Sequence, residues 1–280
     1  MLLLAHEAFP KNFEVATVDH GLRETAKKEC AFVKEICDEK GIHCSILPVV
    51  VAEGNLQAEA RFARYGALKA WAADRRLAAV LTAHHADDQI ETLLMRLNRG
   101  SGVAGLAGVR VESREEFENF RIFRPLLEFR RAELETIVSD KGLKAIQDPS
   151  NENDRFDRAR IRKALSDVDW LDPIAISKSA FHLAEANEAI EYEVNRYWEK
   201  HASKKGSAIW LKSHPIKETR LRLMRRGVRA LGGDLTLGES ARLEEIIIRQ
   251  GKGNISGILV EMQARENELF LIFRSEPKRS

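Results

Sequence analysis

The feature that most constrains this chain is a short apolar run, Leu77, Ala79, Val80, Leu81 and Thr82, that stops at a histidine pair and hands over to an amphipathic helix. Such a run, partly β-branched, reads as a buried strand. His84, His85, Asp87, Asp88, Gln89, Glu91 and Thr92 then crowd into the handover. In an open α/β sheet ligands sit at the carboxyl ends of strands, so this is where a site is expected. Ile90, Leu93, Leu94 and Leu97 make one apolar helix stripe, while Asp88, Glu91, Thr92, Met95 and Arg99 share another face. Two carboxylates one turn apart form an ammonium receptor. The plainer alternative is that Asp87 and Asp88 only complement the positive helix N-terminus. Gly100, Gly102 and Gly105 spell G-x-G-x-x-G. A dinucleotide fingerprint needs a strand before it and a helix after it, and the sequence predicts neither here.

Around this stretch, strands are predicted at 13–18, 42–51, 77–82 and 121–125, and helices at 27–40, 55–74 and 130–141. Alternation of this kind implies an α/β fold with right-handed crossovers and a parallel sheet. On the 55–74 helix, Gln57, Arg61 and Arg64 lie off the apolar stripe. Arginine suits bidentate contact with carboxylate or phosphate. The segment DRFDRARIRKAL carries Arg155, Arg158, Arg160, Arg162 and Lys163 against Asp154 and Asp157, which reads as a solvated face or as a phosphate clamp. Domain boundaries are expected at 1–172, a linking helix at 173–206, and a smaller α+β domain at 207–280. A hairpin is predicted from 255–262 and 269–273. The helix 217–231 carries Lys217, Arg220, Arg222, Arg225, Arg226 and Arg229 beside a single acid of its own, Glu218, and is the strongest nucleic-acid signal.

Whole-chain charge adds little, since 45 Lys and Arg stand against 43 Asp and Glu in 280 residues. Any nucleic-acid footprint must therefore be local. Cys30, Cys37 and Cys44 lack the spacing of a metal or redox site, and no metal ligands are assigned. No apolar run is long enough for a membrane span, and the opening MLLLA is too short for a signal peptide, so a cytoplasmic protein is expected.

VDHGLR (18–23), NLQAEARFARY (55–65), TAHHADDQIETLLMRLNRGSGVAGLAG (82–108), RPLL (124–127), DPSN (148–151) and RARIR (158–162) together resemble the tRNA(Ile)-lysidine synthetase family, in that family's order and spacing. The resemblance implies a Rossmann-like N-type ATP pyrophosphatase domain followed by a smaller tRNA-binding domain. It also implies a ligase that uses ATP and Mg²⁺ to join L-lysine to the wobble cytidine of a tRNA(Ile) with a CAU anticodon. In that family the base is adenylated at its C2 oxygen, then the lysine ε-amine attacks C2 and expels AMP. Carried onto this sequence, Arg64, Asp88 and Glu91 match lysine-site positions, and the 158–162 cluster contains a position near the ATP phosphates. Asp88 is expected to take the amine proton, with Arg160 or Arg162 stabilising the adenylated intermediate. Arg220, Arg222, Arg225, Arg226 and Arg229 are the expected tRNA contacts. A homodimer is compatible with such a chain.

The family's phosphate-binding loop, Ser-Gly-Gly-x-Asp-Ser, is expected ahead of Leu2, with a truncated reading frame a better explanation than an evolved short form. Two alternatives stand beside this reading. One is a non-catalytic tRNA-binding remnant; the other is a metal-dependent phosphohydrolase using His20, His84, His85, Asp87 and Asp88.

Overall fold

A computed structural model describes residues 1–21, 24–54, 56–113, 120–144, 157–166 and 168–276. Parts of the VDHGLR and NLQAEARFARY motifs, the whole of DPSN, and Asp154 and Arg155 lie outside the described residues, as do the side chains of Gln57 and Asp157. The chain divides into two compact units, Met1–Ala184 and Glu185–Ser280.

In the first unit, α1 (Leu2–Ala8), β1 (Val15–Asp19), α2 (Glu24–Glu39), β2 (Cys44–Pro48), α3 (Leu56–Asp74), β3 (Val80–Leu81) and α4 (Ala86–Asn98) follow in order. Then come α5 (Val103–Leu106), β4 (Glu112–Ser113), β5 (Ile122–Phe123), α6 (Arg131–Asp140) and α7 (Asp157–Leu165). The strand–helix alternation is that of the sequence. β1 and β2 are parallel, with Val15 opposite Cys44 and Asp19 opposite Pro48. β3 runs parallel to β5, and β4 is an antiparallel edge on β5. β3 is much shorter than the apolar run because its partner is short. The bonds from Val80 N to Arg121 O and Thr82 N to Phe123 O complete what ladder there is.

The apolar side of α3 ties these strands together. Tyr65, Leu68 and Ala72 pack with Val80, Phe120 and Ile122, joined by Ala16, Val18 and Leu47. A second cluster holds Cys37, Ile42 and Cys44 against Leu2, Phe13, Val15 and Val33. All three cysteines are buried and reduced. Burial, reinforced by the neighbouring Cys44 sulfur, pushes the Cys37 thiol up to about 12.

The helix α8 (Pro173–His201) ends five residues before the expected bound at 206, because Ala202–Lys205 pairs into a sheet as β6. The second unit then has β7 (Ala208–Lys212), α9 (Lys217–Arg229), α10 (Leu237–Gln250), β8 (Lys252–Ile255), β9 (Ile258–Arg265) and β10 (Glu268–Ser275). The sheet order is β6-β7-β10-β9-β8, all antiparallel. Its inner face, with Ile209, Leu211, Val260, Leu271 and Phe273, meets Leu223, Met224, Val228, Leu243 and Ile247 of α9 and α10 and Val194 of α8. Gly227 lets α9 approach closely, since a Cβ there would lie 2.5 Å from the Phe273 ring. Among the described residues, no helix is long and apolar enough to cross a membrane.

Candidate active site

The start of α4 is built from backbone groups that would otherwise be orphaned. Asp88, at the third helical position, accepts from the backbone N–H of His85 at 3.0 Å. Asp87 accepts from the backbone N–H of Arg131 at 2.7 Å and lies 3.5 Å from Arg130 Nε, so it ties α4 to the first turn of α6. The charge complementation seen in the sequence is therefore present in both carboxylates. Burial works against ionisation of Asp87, but the contacts from His85, the Arg131 N–H and the charge of Arg130 carry it down to about 2.

Past this turn, Gly100 ends α4 with φ 67°, and its N–H and that of Ser101 bond to Leu97 O and Arg96 O. A four-residue helix, α5, does start at Val103, contrary to the sequence expectation. What precedes the glycines is still a helix, so the strand required by a dinucleotide fingerprint is missing. The loop is clamped from α4. Gln89 bonds Val109 through both its amide atoms at 2.6 Å, and Arg96 donates to Gly105 O and Gly108 O. Gly108 sits so near Gln89 that a Cβ would lie 2.5 Å from its Oε1.

The helix α7 docks on α4 through an i,i+4 pair. Arg162 Nε donates to Glu91 Oε1 at 2.7 Å, and Arg158 to Thr92 Oγ1 at 3.3 Å. Glu91 is 2% exposed. Its other oxygen, Oε2, is buried with no hydrogen-bond partner. A buried carboxylate with one oxygen unmatched is costly, and a ligand donor relieves it. Glu91 lines a recess of about 330 Å³ together with His85, Asp87, Arg130, Arg131 and Arg162.

The expected residues are not all in one place. Arg64 and Asp88 do not line that recess. Arg64 reaches His20, at 3.3 and 3.4 Å. Arg160 lies on the other side of α7 from Arg162 and borders a separate recess of about 270 Å³ with Met95, Asn98 and Arg99. Arginines to which the sequence motifs assign no joint role gather near His84, whose Nδ1 meets Thr82 Oγ1 at 2.9 Å. Burial first, with the positive charges of Arg124, Arg61 and Arg158 adding to it against the pull of Asp88, lowers the His84 pKa to about 4. Arg61, Arg158 and Arg110 likewise depress Arg96, after its own burial. This is a basic neighbourhood drawn from α3, α4, α7 and two loops. The only sequence clue was single arginines set off apolar stripes, which carry no signal until the fold assembles them.

His85 lies 3.5 Å from Asp87 and 3.6 Å from Asp88, but the other histidines that suggested a metal centre turn to different partners. His20 meets Arg64, His84 meets Thr82, and Asp87 meets Arg130 and Arg131. Among the described residues, no three His, Cys, Asp or Glu side chains form a ligand group.

The α9 arginines differ most from expectation. Arg222 is 4% exposed and donates to Glu218, Asn187 and Glu191 at 2.9, 2.7 and 2.6 Å. Arg220 pairs with the buried Glu244 and donates to His214 O; Arg229 pairs with Asp234 at 2.6 Å. Arg225 lies 3.9 Å from Asp234, and Arg226 bonds Asn195 and lies over the Trp198 ring. The helix has one acid of its own, but three more arrive from α8, α10 and the loop between α9 and α10. Its charge is largely matched inside the unit, and Arg222 is out of reach of a phosphate.

Residues 1–168 match the PP-loop domain family, which defines the first unit as an ATP-binding domain of that class. A solved structure, the U34-tRNA thiolase NcsA from Methanococcus maripaludis with its [4Fe-4S] cluster, shares the fold. Its TM-score is 0.55 at 18% identity over 66% of this chain and 68% of that one. Within the class, the chain belongs to the tRNA(Ile)-lysidine synthase family. It is 44% identical over 241 residues to the tRNA(Ile)-lysidine synthase of Novosphingobium aromaticivorans, covering 85% of this chain and 74% of that protein. With that of Zymomonas mobilis it shares 37% over all of this chain and 85% of the relative.

Proposed function

We propose that this protein makes lysidine, joining the ε-amine of L-lysine to C2 of the wobble cytidine of a tRNA(Ile) with a CAU anticodon. In the reaction the C2 oxygen attacks the α-phosphate of ATP and releases pyrophosphate. The lysine amine then attacks C2, loses a proton, and AMP leaves. Family membership over most of the relatives' length supports the reaction. The single observation that carries the lysine site is Glu91, a buried carboxylate with one oxygen held by Arg162 and the other without a partner.

The chemistry divides two tasks. Carboxylates that hold an ammonium also raise its pKa, whereas the nucleophile must be a neutral amine. Glu91 is the selectivity partner for the ammonium. Asp88 receives the proton, because it uses one oxygen to cap α4 and Oδ1 has no hydrogen-bond partner among the described residues. Arg64 faces the lysine carboxylate or a phosphate. Arg162 and Arg160 stabilise charge on the adenylated intermediate. The basic neighbourhood of Arg61, Arg96, Arg110 and Arg158 fits a polyphosphate, which brings Mg²⁺ with it. A cytoplasmic location follows from such substrates.

The test is AMP release that depends on both lysine and tRNA. Asp88→Asn is expected to abolish transfer to the adenylated base while leaving pyrophosphate release measurable. A near-wild-type rate of lysidine formation removes Asp88 from this role.

A further inference from the structure

The sheet of the second unit has two faces, and only the inner one is covered by helices. Alternation along the paired strands assigns the outer face. Trp210, Phe270 and Ile272 with Ala208 form its own small apolar cluster. Lys205 and Lys212 lie on the same side by register, as do Arg274, Lys252 and Arg265. The acids on that face are Glu261 and Glu268, each already engaged, by Arg274 at 3.2 Å and by Lys212 respectively. Lys205, Lys252 and Arg265 are exposed and pair with no carboxylate among the described residues. Instead the Lys205 ammonium and the Arg265 guanidinium both lie over the Trp210 ring, at 4.7 and 4.4 Å.

We infer that this outer sheet face, with Lys205, Lys252 and Arg265 as its contacts, is where the second unit meets the phosphate backbone of tRNA. The inference rests on the reading of the chain as one that acts on a tRNA. Charge complementarity selects the occupant: three cations without a carboxylate stand on a face whose acids are neutralised, whereas every arginine of α9 but Arg226 has a carboxylate of the unit beside it. The Trp210 ring holds two of those cations in place, so less side-chain freedom is lost when a phosphate arrives. From β6 to β8 the face spans four strand spacings, about 19 Å, enough to meet several phosphates. An acidic protein would also be attracted, but it would not give the salt dependence of counterion release from a polynucleotide.

The experiment measures binding of an unmodified tRNA(Ile) transcript by the full chain across a salt series. For K205E/R265E the slope of log affinity against log salt is expected to fall by about 2, with affinity near 0.15 M salt at least about tenfold weaker. At saturating tRNA, AMP release by this variant should match the wild type, because the change lies in the tRNA KM and not in kcat. K205Q/R265Q, which keeps the stems over Trp210, should show the same loss of slope and decides the matter if the reversed pair melts early. Wild-type slope in both variants, or loss of slope in R225Q/R229Q instead, overturns the inference. Wild-type protein that binds tRNA without salt dependence overturns the functional reading beneath it as well.

Discussion

A half-buried histidine and a buried glutamate set the behaviour of the site at the scale of single residues. His84 is held neutral, its pKa lowered to about 4 by burial and by the surrounding arginines. In the unfolded chain it titrates near 6.5. Between those values the unfolded state binds the extra proton, so stability rises with pH across that window and is lost as pH falls through it. Asp87, held at about 2, adds a further loss from about pH 4 downward. Denaturant unfolding of His84→Gln at pH 4.5 and 7 should show a smaller difference than wild type; equal differences would show that His84 is not the group responsible. For Glu91→Gln, the lysine KM should rise at least about tenfold while ATP and tRNA dependence change little, as loss of a charged hydrogen-bond partner worth about 1.5–3 kcal/mol predicts. The spacing of Asp88 and Glu91 was legible in the sequence because one helical turn is a local relation. The pairing of Glu91 with Arg162 spans 71 residues and has no local signature.

Elements extend the same lesson. Helices with strong periodicity are found close to their expected bounds, as Leu56–Asp74 is, and Leu237–Gln250 shows how such a bound is fixed. Its N-terminus is a reciprocal box, with Thr236 Oγ1 accepting from Glu239 N and Glu239 accepting from Thr236 N. Thr236→Ala should cost about 1 kcal/mol in a urea titration. Gly227→Ala should cost about 1–3 kcal/mol, since its new methyl meets the ring of the fully buried Phe273. Strands β6 and β8 escaped sequence reading because Ala-Ser-Lys-Lys and Lys-Gly-Asn-Ile carry no apolar alternation. Edge strands are pleated by their neighbours and rich in charge for good reason. The arginines of α9 are a related case: a charge count along one helix omits the acids that other elements bring to it.

At the scale of the molecule, each unit has a core of its own, one around α3 and its strands, the other between the antiparallel sheet and its helices. Calorimetry should therefore give a van't Hoff enthalpy below the calorimetric one, and Gly227→Ala should move only one of the two transitions. A single transition shifted as a whole would show that the units unfold together. The α/β class and the family were legible because the motifs are contiguous. The basic neighbourhood around His84 was not, because it exists only once α3, α4 and α7 are assembled. The three thiols of the first unit carry a further consequence. Only a thiolate attacks a disulfide reagent, and burial disfavours that form for Cys37 and Cys44 while the β1–α2–β2 corner stays shut. Their labelling at pH 8 then runs as a stopwatch on the opening of that corner, silent in the native protein and started by each excursion. Lysine or ATP that slows the count would report, without any change at the reactive atoms, how firmly a substrate closes the unit that holds it.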